Sequence, residues 1–173
     1  CIRDRMLGLL RPLGVPAHSD LQLFLPPSAV DEANGWRQAN SLVPGGYHVL
    51  APCTRGAAKR WPLERWVELG QAIGGPCVVV GSPSDRMNLL PLVNALGSSA
   101  HLAAGSVSLG ATMGLVAGAM RLVGLDSAPL HMASGFGVSA LGLFGPTDPA
   151  LTGPWRGAGA VSYTHLRAHE TRP

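Results

Sequence analysis

From residue 47 onward, short apolar runs alternate with longer stretches of helical spacing, about five times over, with short connections between them. Nothing else in the chain restricts its fold as tightly. Residues 47–51 (Tyr-His-Val-Leu-Ala) read as a buried strand, 52–61 as a loop and 62–73 as a helix. Pro62 suits the first helical turn and Gly74 with Gly75 stops it, while Leu63, Trp66, Leu69 and Ile73 supply an apolar face. The pattern recurs as strand 77–80, loop 81–85, helix 85–96, a weak strand 101–103, and a helix 109–119 capped by Ser108. Strand 121–124, a helix from Asp126 and Ser127 to about residue 134, and strand 138–144 follow. Such alternation predicts an α/β fold, a mostly parallel Rossmann-like sheet with helices on both faces. Ligands of such sheets bind beyond the carboxyl ends of the strands, so each loop after a strand is a candidate site loop.

The flanks differ. Residues 1–14 carry apolar positions at Ile2, Met6, Leu9, Leu10 and Leu13, a helix-like spacing that ends at Gly14. Residues 15–46, rich in Pro and Gly, read as a linker between domains. Within them Leu21, Leu23 and Leu25 suggest a short strand, and Ser28 a cap for a brief helix over 29–40. The last stretch, 161–173, continues no pattern and is similar to translated sequencing-adapter DNA; plausible native sequence is expected to stop near residue 160. His165 and His169 have i,i+4 spacing, but no metal site is expected there.

Composition excludes several classes. Lys59 is the only lysine, and the arginines are scattered except near Arg55, Lys59 and Arg60. A nucleic-acid binder concentrates its charge, so no nucleic-acid partner is expected. Three cysteines without metal-like spacing argue against a disulfide scaffold and for a reducing compartment. Cys77 should simply pack, and Cys53 has no base near it in sequence to make it a nucleophile. No apolar run reaches the roughly 20 residues a membrane span needs.

Three loops after strands carry candidate chemistry. The first holds Thr54, Gly56, Lys59 and Arg60 just ahead of a helix, which suits a phosphate, or else it is a solvated basic loop. In the second, Asp85 either holds a ribose hydroxyl pair or, like Ser84, caps the next helix. The third runs from Gly124 into a helix start, where the amides of Ser127, Ala128 and Leu130 could meet an anion. Asp126 is there either a site group or only the N-cap, and His131, one turn in, either a site or a packing residue. After the last strand, Thr147 and Asp148 either line a pocket or form a turn.

The strings Lys-Arg-Trp-Pro-Leu-Glu-Arg-Trp from Lys59, Gly-Ser-Pro-Ser-Asp from Gly81, Asp-Ser-Ala-Pro-Leu-His from Asp126 and Leu-Phe-Gly-Pro-Thr-Asp-Pro from Leu143 occur in order between Lys59 and Pro149. In this the chain resembles the bacterial heptosyltransferases, glycosyltransferase family 9. The resemblance implies the C-terminal half of a two-domain GT-B fold, with 1–14 a remnant of the N-terminal acceptor domain, 15–46 the interdomain linker and 47–160 the nucleotide-sugar-binding domain. It implies inverting transfer of heptose from ADP-heptose to the lipopolysaccharide inner core, without a metal or other cofactor.

By motif, Thr54 and Lys59 would contact the donor phosphates, with Lys59 also offsetting charge on the leaving diphosphate. Asp85 would lie near the ribose, and Asp126 would hold sugar hydroxyls or organise the helix start. Ser127 and Ala128 would present amides, with His131 beside them. The family usually has Gly where Ala128 stands. The general base and most of the acceptor site would belong to the missing N-terminal domain, so the piece alone is expected to transfer nothing. The expected partners are the nucleotide sugar and a lipid-linked oligosaccharide, and the expected place is the cytoplasm, with peripheral association of the intact enzyme at the inner membrane's cytoplasmic face. The alternatives are another GT-B enzyme using a UDP-sugar, or a non-catalytic nucleotide-binding module.

Overall fold

The computed structural model describes residues 8–14 and 22–154. The proposed tail, residues 161–173, lies outside them, as does the first half of the stretch 1–14, whose described part holds a 3-10 turn over Arg11–Leu13.

Five strands form one wholly parallel sheet: β1 His48–Ala51, β2 Cys77–Val79, β3 Ala100–Leu102, β4 Arg121–Leu125 and β5 Ala140–Leu143, in the order β3-β2-β1-β4-β5. Among the described residues six helices accompany them: α1 Pro27–Ala39, α2 Leu63–Ile73, α3 Arg86–Leu96, α4 Leu109–Ala117, α5 Ala128–Gly135 and the short α6 Pro149–Thr152. The strands are continuous apolar runs because both faces are covered. On one face Val49, Ala51, Val78, Val80 and Leu122 pack with Ala33 of α1, Leu115 of α4 and Leu130 of α5. On the other Leu50, Val79, Val123 and Leu125 pack with Trp66 of α2 and Leu92 of α3. The period-two alternation of the strands thus separates two cores within runs that look uniformly apolar.

Two close approaches set the helix layers. Gly70 of α2 lies against Leu96 of α3, where an added Cβ would stand 2.7 Å from both leucine methyls. Gly110 and Gly114 of α4 face Ala29 and Ala33 of α1; added Cβ atoms would lie 2.9 and 2.7 Å from those alanine Cβ atoms.

The expected alternation is present, with boundaries shifted by a residue or two. Ser108 caps α4 as its position suggests, its Oγ accepting from the Ala111 amide at 3.1 Å. Residues 22–46 depart from expectation. No strand forms over Leu23 and Leu25. α1 starts earlier than expected, with Pro26 at the N-cap and Pro27 in the first turn, and Ser28 does not cap it. The stretch read as linker therefore lends the sheet one of its covering helices. Arg37 fastens that helix: although only 7% exposed, it donates to Gly114 O at 3.1 Å and Tyr47 Oη at 3.4 Å, and also to Asn34 Oδ1. Tyr47 donates in turn to Leu115 O at 2.6 Å. The Arg37 cation rests among carbonyls at the carboxyl end of α4, where a helix favours positive charge.

Candidate functional site

The strand order supplies the site's geometry. After β1 the chain winds outward through β2 and β3, then returns to place β4 on the other side of β1. The loop after β1 leads to α2 on one face, and the loop after β4 leads to α5 on the other. At this reversal the two loops diverge and leave a crevice over the strand ends.

Two of the candidate residues meet there. Lys59 ends the 3-10 turn Ala57–Lys59 after β1, and its Nζ lies 2.7 Å from Oδ2 of Asp126, directly after β4. Asp126 is 7% exposed and Lys59 28%. Asp126 is not an N-cap: Ser127 holds that position, and no side chain caps α5. Burial pushes the Asp126 carboxyl up, but Lys59, Thr147 and Thr152 around it outweigh this and hold it below its ordinary value.

Thr152 was not singled out in the sequence. Its Oγ1 lies 3.3 Å from both Asp126 Oδ2 and Asp148 O. The signal was available: Asp148 followed by Pro149 announces a helix start, and residue 152 falls one turn on. Asp148 does cap that turn, its Oδ1 accepting from the Ala150 amide at 2.9 Å. Thr147 Oγ1 is buried beside Asp126 without a partner in hydrogen-bonding geometry.

The helix start itself is narrower than expected. The Leu130 amide donates to Ser127 O at 3.1 Å and so is not offered to a ligand. Proline at 129 has no N–H, which leaves the amides of Ser127 and Ala128. The Ser127 hydroxyl donates to Leu125 O at 3.2 Å. Ala128 and His131 are exposed, and neither joins the ion pair.

Thr54 and Asp85 belong to a neighbouring feature. With Cys53, Arg60, Trp61 and Trp66 they line a cavity of about 350 Å³ between the β1 loop and α3. Asp85 reaches back in a capping box: its Oδ2 accepts from the Ser82 amide at 2.9 Å and from the Ser82 hydroxyl. Asp85 occupies the N-cap position of α3 without a side-chain hydrogen bond to it; its carboxylate serves the 3-10 turn Pro83–Asp85 instead, and also faces the cavity. Burial, and then the Asp85 charge, push the Cys53 thiol up to about 12, so it is no thiolate at neutral pH. Trp61 meets Trp66 edge-on at 5.2 Å, and the Trp66 Nε1 is buried without a partner. Among the described residues no three His, Cys, Asp or Glu side chains gather as a metal site, and no helix is long and apolar enough to cross a membrane.

A cation and a helix start brought together across a parallel-sheet switch point suit a phosphorylated ligand. The sequence profile of glycosyltransferase family 9 (heptosyltransferase) matches residues 17–172. The chain belongs to glycosyltransferase family 9. It is 32% identical over 136 residues to lipopolysaccharide heptosyltransferase 1 of Pseudomonas aeruginosa, a match covering 76% of this chain and 38% of that protein. It is 27% identical over 162 residues to lipopolysaccharide heptosyltransferase 3 of Escherichia coli, covering 86% and 46%. The chain therefore spans less than half the length of these family 9 relatives.

Among solved structures, the family 9 glycosyltransferase of Veillonella parvula superposes with a TM-score of 0.82 at 24% identity, covering 91% of this chain and 47% of that one. The ADP-heptose lipopolysaccharide heptosyltransferase II of E. coli gives 0.71 at 24% identity, covering 82% and 44%. These likenesses bear on the fold: a parallel sheet flanked by helices, of the Rossmann-like kind found in GT-B enzymes.

Proposed function

We propose that this chain is the C-terminal, donor-binding half of a GT-B enzyme, and that the intact protein transfers heptose from ADP-heptose to the lipopolysaccharide inner core. The observation that carries this is the Lys59–Asp126 pair beside the Ser127 helix start at the switch point. The family 9 relatives favour ADP-heptose over a UDP-sugar. The donor diphosphate lies along Lys59, Thr54 and the amides of Ser127 and Ala128, with His131 at the rim. The nucleoside points toward Asp85.

In the reaction an acceptor hydroxyl attacks the anomeric carbon from the face opposite the diphosphate, and the C–O bond to the diphosphate breaks with inversion. A general base on the acceptor domain takes the hydroxyl proton. Lys59 offsets the charge that develops on the departing ADP, an electrostatic rather than a proton-transfer role. The intact protein acts in the cytoplasm, resting peripherally on the inner membrane where its lipid-linked acceptor is held.

Calorimetry of this chain with ADP, UDP and adenosine tests the donor site. ADP binding is expected, and Lys59→Ala should weaken ADP about tenfold or more, as loss of a charge-assisted contact does, while sparing adenosine. A folded sample that binds no nucleotide would sink the reading.

A further inference from the structure

Lys59 is already engaged before any ligand arrives. Its ammonium sits 2.7 Å from Asp126 Oδ2, and the Thr152 hydroxyl lies 3.3 Å from the same oxygen. The Asp126 carboxyl is almost wholly covered and held in its charged form. A diphosphate that reaches Lys59 must therefore share the ammonium with a buried anion or draw it away. Either way two anions come within about two hydrogen-bond lengths of each other, in surroundings that screen them poorly.

We propose that Asp126 is a positioning and specificity-determining residue that holds Lys59 in reserve and weakens the site's grip on the more highly charged diphosphate. This rests on the donor-site reading above. A sugar-substituted diphosphate carries one negative charge fewer than the free nucleoside diphosphate left when its sugar departs. Repulsion from Asp126 falls harder on the free diphosphate, so the same carboxylate that orients Lys59 for the donor helps discharge the product. The cost to Asp126 of losing part of its cation is met by the neutral hydroxyl of Thr152, and by Thr147, whose buried Oγ1 stands beside the carboxylate short of full hydrogen-bonding geometry.

Substitutions at Asp126 and at its neighbour Thr152 make opposite predictions. Asp126→Asn removes the repelling charge and frees the ammonium, so ADP should bind about tenfold more tightly, a modest charge–charge coupling. ADP-ribose, a sugar-substituted diphosphate, should gain less. Thr152→Val leaves the carboxylate more dependent on Lys59, so ADP should bind about threefold more weakly, the effect of one hydrogen bond. A substitution that merely loosened the loops would weaken ADP in both variants. The gain in Asp126→Asn should vanish when Lys59→Ala is added.

Because Lys59 is the only lysine, the rate at which an amine-reactive ester acylates its ε-amine reports its engagement directly. Acylation should speed up in Asp126→Asn, slow in Thr152→Val, and be suppressed by ADP in the wild type. The experiment is ADP and ADP-ribose calorimetry on the full chain and these variants, with circular dichroism confirming folding and acylation read by mass spectrometry. Tightened ADP with the opposite response in Thr152→Val supports the proposal. ADP binding that Asp126→Asn leaves unchanged or weakens overturns it while the donor site stands. If no form binds ADP, the donor-site reading fails, and accelerated acylation in Asp126→Asn would then mark the pair as structural only.

Discussion

Arg37 shows how much one side chain can hold in this chain. It is a buried cation whose partners are an amide oxygen, a phenol and a helix-terminal carbonyl rather than a carboxylate. Truncating it leaves the Tyr47 hydroxyl without its donor and Gly114 O with the Gly118 amide alone. Arg37→Leu should lower the free energy of unfolding by about 2 kcal/mol in urea titrations. Tyr47→Phe removes the hydrogen bond to Leu115 O and should lower it by about 1 kcal/mol. Nothing near Arg37 in sequence announces this role: it sits among Gln, Asn and Trp on a stretch that is polar on average, and its partners are up to 77 residues away. Asp85 and Asp126 teach a related lesson. Both are acids just after strands, yet one closes a capping box within three residues while the other takes a lysine 67 residues away. Local spacing could reveal the first arrangement and not the second.

At the level of elements, the strands and most helices were legible because their apolar periodicity is local. α1 was legible as a brief helix but not as a covering layer of the sheet, because it packs through small residues instead of an apolar stripe. Ala29 and Ala33 meet Gly110 and Gly114 at i,i+4 spacing on both helices, so the backbones approach until there is no room for a further methyl. Gly114→Ala would set its Cβ 2.7 Å from Ala33 Cβ and 3.4 Å from Ala29 O, neither of which is the yielding end of a flexible side chain. It should cost about 1–3 kcal/mol despite alanine's better helix propensity, and thermal unfolding checks the sign. Gly35, exposed on α1 with open space around it, is the control: Gly35→Ala should be neutral or stabilising. Lys59 and Asp126 were each candidates in the sequence, but their pairing depends on β4 lying beside β1, which the order of elements along the chain does not reveal.

For the molecule as a whole, the ionisable groups narrow the pH range of stability from both ends. Burial, with Arg121 adding to it at His48, holds His48 and His101 below the ordinary 6.5. The unfolded chain then binds more protons, so stability drops as pH falls through 6.5 and below. Asp126 and Glu32 are also held below their ordinary 3.8 and 4.5, Glu32 by the hydroxyl and amide of Ser108, and they extend the loss further into acid. On the alkaline side, burial raises Tyr47 above 10 and Cys77 from 9 to about 11. The unfolded chain gives up those protons first, so stability drops again as pH rises past 9. Melting temperature should therefore be highest between about pH 7 and 9 and fall on both sides. A melting temperature still rising between pH 6.5 and 5 would contradict the histidine assignment.

The clasp between α1 and α4 also bears on how family members can be recombined. Although α1 precedes β1 in the chain, its Ala29 and Ala33 fit glycines on a helix that follows β3, and Arg37 reaches the same helix. A chimaera spliced at Gly46 would pair α4 with a foreign partner whose side chains were never matched to its two glycines. A splice ahead of Pro26 would carry the seam across intact. For exchanging this part of the chain between relatives, the natural joint therefore lies some twenty residues upstream of the first strand, counting back from His48 to Pro26.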